Sequence, residues 1–324
     1  FLTACLPANA DYTTFHYDNS RSGFSGGIGF LTPSYIPGHF TQVANVTLDG
    51  GEVDAQPVEM TGSTSPTVFV ATEKNGVYAF SNAGALRWVQ HYGAPVPNSY
   101  GGGCGNTAPE IGIQSTPVID TAANILYFVA YTLDNGTTPT YRLHGVSASN
   151  GADVIAPAVI QPPGAPAFNA GVQRQRAALL EANGNIYVAF ASFCDFFADR
   201  SYGQIVSYSA SSFAYQGRFV TTNYGLCSYH LGSIWMSGFG PAADASGNVY
   251  FTTGNGCIAY GNVSNGAFSQ AVLKLTPGLR LNDNTSTLFA PCNAVNESNA
   301  DRDLGSGGVT LLPDQAGSVP HLLA

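Results

Sequence analysis

Residues Gln114–Gly151 read QSTPVIDTAANILYFVAYTLDNGTTPTYRLHGVSASNG. Thr116-Pro117-Val118-Ile119-Asp120 is a short apolar run, and the turn Thr121–Asn124 leads into Ile125-Leu126-Tyr127-Phe128-Val129-Ala130. After a looser segment come Leu143-His144-Gly145-Val146-Ser147 and the turn Ser149-Asn150-Gly151. β-Branched and aromatic runs punctuated by Asn, Gly and Asp predict strands joined by tight turns. The stretch therefore reads as three strands of one unit, with Ala152-Asp153-Val154-Ile155 as its outer, fourth strand.

The same plan recurs along the chain. Second strands centred on Phe69, Tyr127, Tyr187 and Tyr250 lie 58, 60 and 63 residues apart. A fixed period of this size marks a repeat architecture. Four antiparallel strands per unit, arranged around an axis, make an all-β propeller with only short protected edges; a two-sheet sandwich gives no reason for the period. The units fall at about 54–90, 115–160, 176–220, 240–290 and 307–324, after an N-terminal extension over 1–39. No stretch sustains a 3.6-residue period, so helix content is expected to be close to nil. Residues 40–47 read as an orphan outer strand that closes the last blade. The fifth unit stops in its second strand, His321-Leu322-Leu323-Ala324. The ring is then either five-bladed with an irregular closure or an incomplete part of a longer protein. Unpaired edge groups in a half-blade favour the second reading.

Bulk composition removes several classes of function. Eleven basic against 20 acidic residues give a net charge of −9 over 324 residues. Nucleic-acid and anionic-membrane footprints need basic patches instead. No run approaches the roughly 18 apolar residues that span a bilayer. Six widely spaced cysteines with no CxxC pair argue against a zinc site and lean towards disulfides in an oxidising, extracytoplasmic compartment (periplasmic, secreted or cell-surface). Phe1-Leu2-Thr3-Ala4-Cys5 resembles the tail of a bacterial lipoprotein signal, which would make Cys5 a lipid anchor; chance is the competing explanation.

Tyr78-Ala79-Phe80-Ser81-Asn82-Ala83-Gly84-Ala85-Leu86-Arg87-Trp88 resembles the tryptophan-docking motif of quinoprotein dehydrogenases, in which a Trp links neighbouring blades. The turns at Gly151, Gly247 and Asn248 and the junction Asp303-Leu304-Gly305-Ser306-Gly307-Gly308 fit the same repeat. The chain as a whole is similar to the PQQ-binding-like (pyrroloquinoline quinone) propeller proteins of bacteria. That resemblance implies either a quinone- and calcium-dependent dehydrogenase or a scaffold of the outer-membrane assembly type, because fold alone does not decide function. Members typically continue with more blades. Here no two cysteines are adjacent, so the vicinal disulfide that stacks on the quinone has no counterpart. Cys227-Ser228-Tyr229-His230 lacks the second cysteine of a haem site, and the family's calcium ligands cannot be placed by motif.

Topology singles out one face. Inner-to-second and third-to-outer turns are short, whereas second-to-third loops and blade crossings are long and share the opposite face, where function is expected. Cys104, Cys194, Cys227, Cys257 and Cys292 all fall there and are the disulfide candidates. Two bridges among the last four are expected, with the pairing left open among three patterns. Near the axis on that face stand Glu110, Arg174, Arg176, His230, Trp235 and Asp303. In a quinoprotein the arginines would grip cofactor carboxylates, while acids would hold calcium or act as base. The structural alternative is that the arginines pair with Glu110 or Asp303 to line the channel. Loops rich in Tyr, Asn and Gly also suit a protein or glycan partner, or contact between copies of the chain. The sequence alone thus ranks an exported binding, scaffold or surface-assembly propeller first, and a PQQ-dependent dehydrogenase of an alcohol or sugar second.

Overall fold

The computed structural model describes residues 11–25, 32–35, 37, 42–61, 66–105, 107–223, 225–260, 266–281, 287–317 and 323–324. Blade one is β1 (Val58–Met60), β2 (Thr67–Ala71), β3 (Gly76–Ser81) and β4 (Leu86–His91), antiparallel in the order β1-β2-β3-β4. A ribbon of β5 (Val96–Pro97) and β6 (Glu110–Ile111) stands in the crossing to blade two. Blade two is β7 (Val118–Asp120), β8 (Ile125–Asp134), β9 (Thr138–Ser147) and β10 (Asp153–Val159). The two-residue β11 (Gln173–Arg174) precedes blade three, which is β12 (Leu180–Ala182), β13 (Asn185–Ser192), β14 (Gln204–Ser209) and β15 (Tyr215–Val220). Blade four begins with β16 (Ala242–Ala243) and β17 (Val249–Thr252). A ribbon of β18 (Ile258–Ala259) and β19 (Ala267–Phe268) follows, and β20 (Val272–Leu275) and β21 (Leu288–Phe289) complete the blade. Of the fifth unit, Leu311 pairs antiparallel with Leu323, and Thr310 and Ala324 exchange both backbone hydrogen bonds. The expected propeller of four-stranded blades is therefore the observed fold.

Burial on both faces explains why the second strands are apolar without alternation. In β8, Leu126, Phe128 and Ala130 join the core shared with blade one, while Tyr127, Val129 and Tyr131 join the core shared with blade three. In β13, Ile186, Val188 and Phe190 face blade two, and Tyr187 and Ala189 face blade four. Each such interface also carries a polar latch. Trp88 donates its indole N–H to the Ala148 carbonyl (3.0 Å), and a Cβ on Gly151 would lie 2.8 Å from its ring, as docking of that Trp requires. Tyr127 Oη donates to the Ala210 carbonyl (3.1 Å) and Tyr187 Oη to the Pro277 carbonyl (2.9 Å).

Three features depart from the sequence reading. Residues 42–47 form no strand, and Ala44 instead lies against the Gly84 turn of blade one. Phe40 and Thr41, the lipid-anchor candidate Cys5, and His321 and Leu322 lie outside the described residues. A short helix, α1 (Ala294–Asn299), occupies the crossing after β21 where none was expected. The third departure is the N-terminal extension, which closes the axis.

Inner strands of two or three residues leave backbone groups facing the axis, and buried backbone groups need partners. The segment 11–25 supplies them as a strap across the inner strands. Tyr12 and Glu59 exchange backbone hydrogen bonds, Ile119 N–H donates to Thr13 O, Ala243 N–H to Asn19 O, and Leu311 N–H to Ser20 O. Asn19 Nδ2 reaches Glu181 O at 2.8 Å, so all five units are stitched. At the centre Arg21 is 0 % exposed, and its guanidinium donates to the carbonyls of Phe15, Leu179 and Pro241 and to Thr14 Oγ1. Burial pulls its pKa down, because charge is costly away from water. Removing the side chain would leave these carbonyls buried and unpaired. Arg21→Ala is expected to cost on the order of 3 kcal/mol in denaturant unfolding; a loss below about 1 kcal/mol would contradict the role of the strap.

Candidate functional site

Opposite the strap, at the long-loop end, the segments leading into successive inner strands each bring a polar side chain towards the axis. Asp54, Gln114 and Arg176 each stand four residues before β1, β7 and β12. Arg174 Nε donates to Gln114 Oε1 (2.9 Å), and Gln114 Nε2 donates to Glu73 Oε1 (2.9 Å). Arg176 donates to the Gln114 carbonyl (3.1 Å) and pairs with Asp54 across 3.5 Å, so its ionic partner is neither Glu110 nor Asp303. The Glu73 turn between β2 and β3 drives its carboxyl inward, where it is 1 % exposed and Oε2 has no hydrogen-bond partner. Desolvation, with Asp54 repelling the charge, pushes its pKa up to about 8 against the pull of Gln114 and Arg174.

A second group lies beside the first. The Arg174 guanidinium sits 5.9 Å from the centre of the Trp235 ring, within cation–π range. Trp235 Nε1 is buried without a partner. Trp235 and Asp303 close on Gly254, where an added Cβ would meet Asp303 Oδ1 at 2.5 Å and the indole at 3.1 Å. Asn255 binds both acids of the fifth-unit junction: its N–H donates to Asp303 Oδ1 (2.6 Å) and its Nδ2 to Asp301 Oδ1 (2.7 Å). Its own buried Oδ1 is unpartnered. Asp195 joins this group and accepts a hydrogen bond from Ser192 Oγ. Burial, with Asp303 and Asp301 adding repulsion, pushes Asp195 up to about 6, and burial also raises Asp303. Cys194, Asp195 and Asp301 all adopt left-handed backbone (φ 49, 54 and 55), a conformation that non-glycine residues hold only where the surroundings impose it.

Asn255 holds Asp301 and Asp303 with Asp195 nearby, while on the other side of Arg174 one carboxylate oxygen each of Glu52, Asp54 and Glu73 lies within 4.8 Å of the others; carboxylates of this kind are the hard-oxygen ligands that Ca²⁺ or a similar ion takes. The aromatic ring and two arginines beside them suit a flat, carboxylate-bearing molecule.

The disulfides brace these loops. Cys104–Cys194 ties the turn carrying Asp195 to the crossing between blades one and two, and Cys227–Cys257 ties the crossing into blade four to the β17–β20 connection. Closing loops of 90 and 30 residues gives chain-entropy figures of roughly 4.6 and 3.6 kcal/mol. The two bridges expected among the last four cysteines are thus corrected: Cys194 pairs with Cys104, and Cys292 is free and exposed.

Of the residues singled out in the sequence, Arg174, Arg176, Trp235 and Asp303 come together. Glu110 does not; it is exposed on the β5–β6 ribbon. His230 packs into a loop crossing, stacked on Tyr202 at 4.4 Å, with its carbonyl accepting from Cys257 N–H. Asp54, Gln114, Glu73, Asp195 and Asn255 were missed. The four-residue offset before each inner strand was a usable signal for the first two; Glu73, Asp195 and Asn255 reach the site from loops of unequal length.

No protein-family model matches the chain, and no curated protein matches it. Solved structures do. The chain is similar to a quinohemoprotein alcohol dehydrogenase from Comamonas testosteroni (TM-score 0.56, 15% identity, 95% of this chain and 44% of that one). It is also similar to one from Pseudomonas putida HK5 (0.57, 13%, 95% and 44%). A europium-containing methanol dehydrogenase aligns at 0.52 and 12%, over 84% of this chain and 48% of that one. The chain thus spans less than half the length of these structures, and at such identity they establish the quinoprotein-like propeller fold alone. Among the described residues no helix is long and apolar enough to cross a membrane.

Glu73 gives a test of the axial electrostatics. Its folded pKa lies above its unfolded value, so the native state keeps a proton that the unfolded chain loses between about pH 4.5 and pH 8. Stability is therefore drained as pH rises through that window. Glu73→Gln should match the parent near pH 4 and exceed it by on the order of 2 kcal/mol at pH 9. A difference in unfolding free energy that is flat with pH would refute the assignment.

Proposed function

We propose that the long-loop end of the axis is a cofactor site of the quinoprotein type, holding a divalent cation together with a planar, carboxylate-bearing quinone. The carrying observation is that Asn255 binds Asp303 and Asp301 through its two N–H donors, with Asp195 within electrostatic reach, while its own Oδ1 stays buried and unpartnered. Burial, with Asp303 and Asp301 adding repulsion, raises the Asp195 pKa, and a cation relieves such crowding. Asp195, Asn255, Asp301 and Asp303 would hold the ion. Arg174 and Arg176 would grip the carboxylates, and Trp235 would supply a flat wall with a free N–H. A bound quinone supplies a two-electron acceptor for alcohol oxidation. Glu73, its pKa raised by burial, stands behind Gln114 in the hydrogen-bonded chain that leads to Arg174.

This reading takes the dehydrogenase alternative ahead of a purely scaffolding role, because among the described residues the loop composition that favours a protein or glycan partner is matched by no comparably specific group of side chains. The missing vicinal disulfide leaves Trp235 as the aromatic surface for the ring, with the Cys104–Cys194 bridge anchoring the neighbouring loops. Two disulfides support an extracytoplasmic location.

The test is cation binding on the intact chain. Terbium luminescence with Ca²⁺ competition should report one saturable site, weakened at least tenfold in Asn255→Ala and in Asp303→Asn. Quinone binding, followed by quenching of Trp fluorescence, should depend on the occupied cation site. Absence of saturable terbium binding, or binding unchanged in both variants, would remove the proposal.

A further inference from the structure

A cavity of about 550 Å³ opens where the long β8–β9 hairpin of blade two meets the loop after β10, within the ~300–1,000 Å³ range of small-molecule sites. No residue assigned to the cation or the quinone lines it. β8 and β9 are ten residues long, against five and six for the corresponding strands of blade one. The extra length carries Pro139, Thr140 and Tyr141 to the cavity wall. We propose that this cavity is a second ligand site, taking a small monocarboxylate with an apolar body; it stands independently of the axial reading.

The walls divide in two. Pro139, Val159, Pro166, Ala167 and Ala170 offer apolar surface, against which an apolar body gains by leaving water. Arg200 is the one ionic side chain among the lining residues. Its guanidinium lies 5.1 Å from the centre of the Phe197 ring, and its backbone N–H donates to the Phe197 carbonyl (3.0 Å). Stacking occupies the face of a guanidinium and leaves the N–H groups on its edge for a carboxylate fork. Among the described residues, no hydrogen bond or ion pair takes up that edge. Asp134, on the same hairpin, is gripped by Arg142 (Nη1 to Oδ1, 2.8 Å), and Asp199, next to Arg200 in sequence, does not line the cavity.

A second cation stands behind the wall. All three guanidinium nitrogens of Arg218 are buried without a hydrogen-bond partner. Arg218 is within electrostatic reach of Tyr208, and Tyr208 contacts the backbone of Gln161, which lines the cavity. Charges act more strongly away from water, so the two guanidiniums favour an anion here although the whole chain carries −9. A polyol would leave the apolar wall unused, and a dianion such as phosphate calls for more donors than one guanidinium edge supplies. The walls are also held in place, as a selective site needs. Gln161 Nε2 donates to the Phe168 carbonyl (3.1 Å), Tyr131 Oη to the Ala170 carbonyl (2.8 Å) and Tyr141 Oη to the Gln173 carbonyl (2.9 Å).

Equilibrium dialysis of radiolabelled benzoate against the intact, cofactor-free chain is the test. One saturable site with a Kd of ~1 mM is expected. Arg200→Gln and Ala167→Trp, the second of which fills the cavity, should each weaken binding at least about fivefold. Both positions are exposed, so folding is spared. Hexanoate should compete, whereas benzamide and benzyl alcohol, which lack the charge, should compete at least about fivefold more weakly. Arg176→Gln removes an axial carboxylate grip and should leave benzoate binding unchanged. The proposal is overturned by no saturable binding up to about 50 mM, or by neutral isosteres that compete as well as hexanoate. Binding lost in Arg176→Gln but kept in Arg200→Gln and Ala167→Trp would also overturn it, and would place the carboxylate at the axis instead.

Discussion

The structure depends on a strap of polar chain threaded where the blades converge. Around an axis, the innermost strands of successive blades are too short and too splayed to pair with one another. Their carbonyls and N–H groups would face a dry centre, where unpaired backbone groups are costly. Residues 11–25 meet that need, and Arg21 adds one fork of donors spread over units three, four and the strap itself. A guanidinium suits this position because its planar array reaches several carbonyls at once. The same contacts fix the angle between units, and the angle fixes how Asp54, Gln114, Arg174, Trp235 and Asp303 meet at the opposite end.

Between the blades, cohesion is apolar and repetitive. The second strands of units two and three send alternate side chains into two different cores, so each of these blades is the filling between its neighbours. Polar latches, from the outer strand in unit one and from the second strand in units two and three, end on the turn after the third strand of the next blade. Unit one uses the Trp88 indole, and units two and three use the hydroxyls of Tyr127 and Tyr187. In unit four Tyr250 turns its hydroxyl to Asp244 of its own blade.

The repeat was legible because strand periodicity and turn residues are local signals. Tyr127 and Tyr187 announce themselves through runs such as ILYFVA and NIYVAF. The strap was not legible: it is polar, has no period, and His16, Tyr17 and Arg21 adopt left-handed backbone that only long-range contacts explain. Cysteine pairing was misread for a related reason. Cys194 lies nearer in sequence to Cys227 than to Cys104, but the long crossing of blade two folds back over blade three. Arg174, Arg176, Trp235 and Asp303 were nominated from their place on the crossings before inner strands, while Asp54 and Gln114, in the same kind of place, were passed over. Glu73 was missed because its burial arises from neighbouring blades, and no feature of Thr72-Glu73-Lys74-Asn75 distinguishes it from an ordinary exposed turn.

The central claim is that residues 11–25 close the axis by hydrogen bonding to the inner strand of every unit. Amide hydrogen exchange on the native protein tests it at Glu59, Ile119, Ala243 and Leu311, whose N–H groups donate to Tyr12, Thr13, Asn19 and Ser20. The account predicts that these four amides exchange as slowly as those in the middle of β8, opening only with global unfolding. Exchange at the rate of exposed loop amides, with β8 still protected, would contradict it.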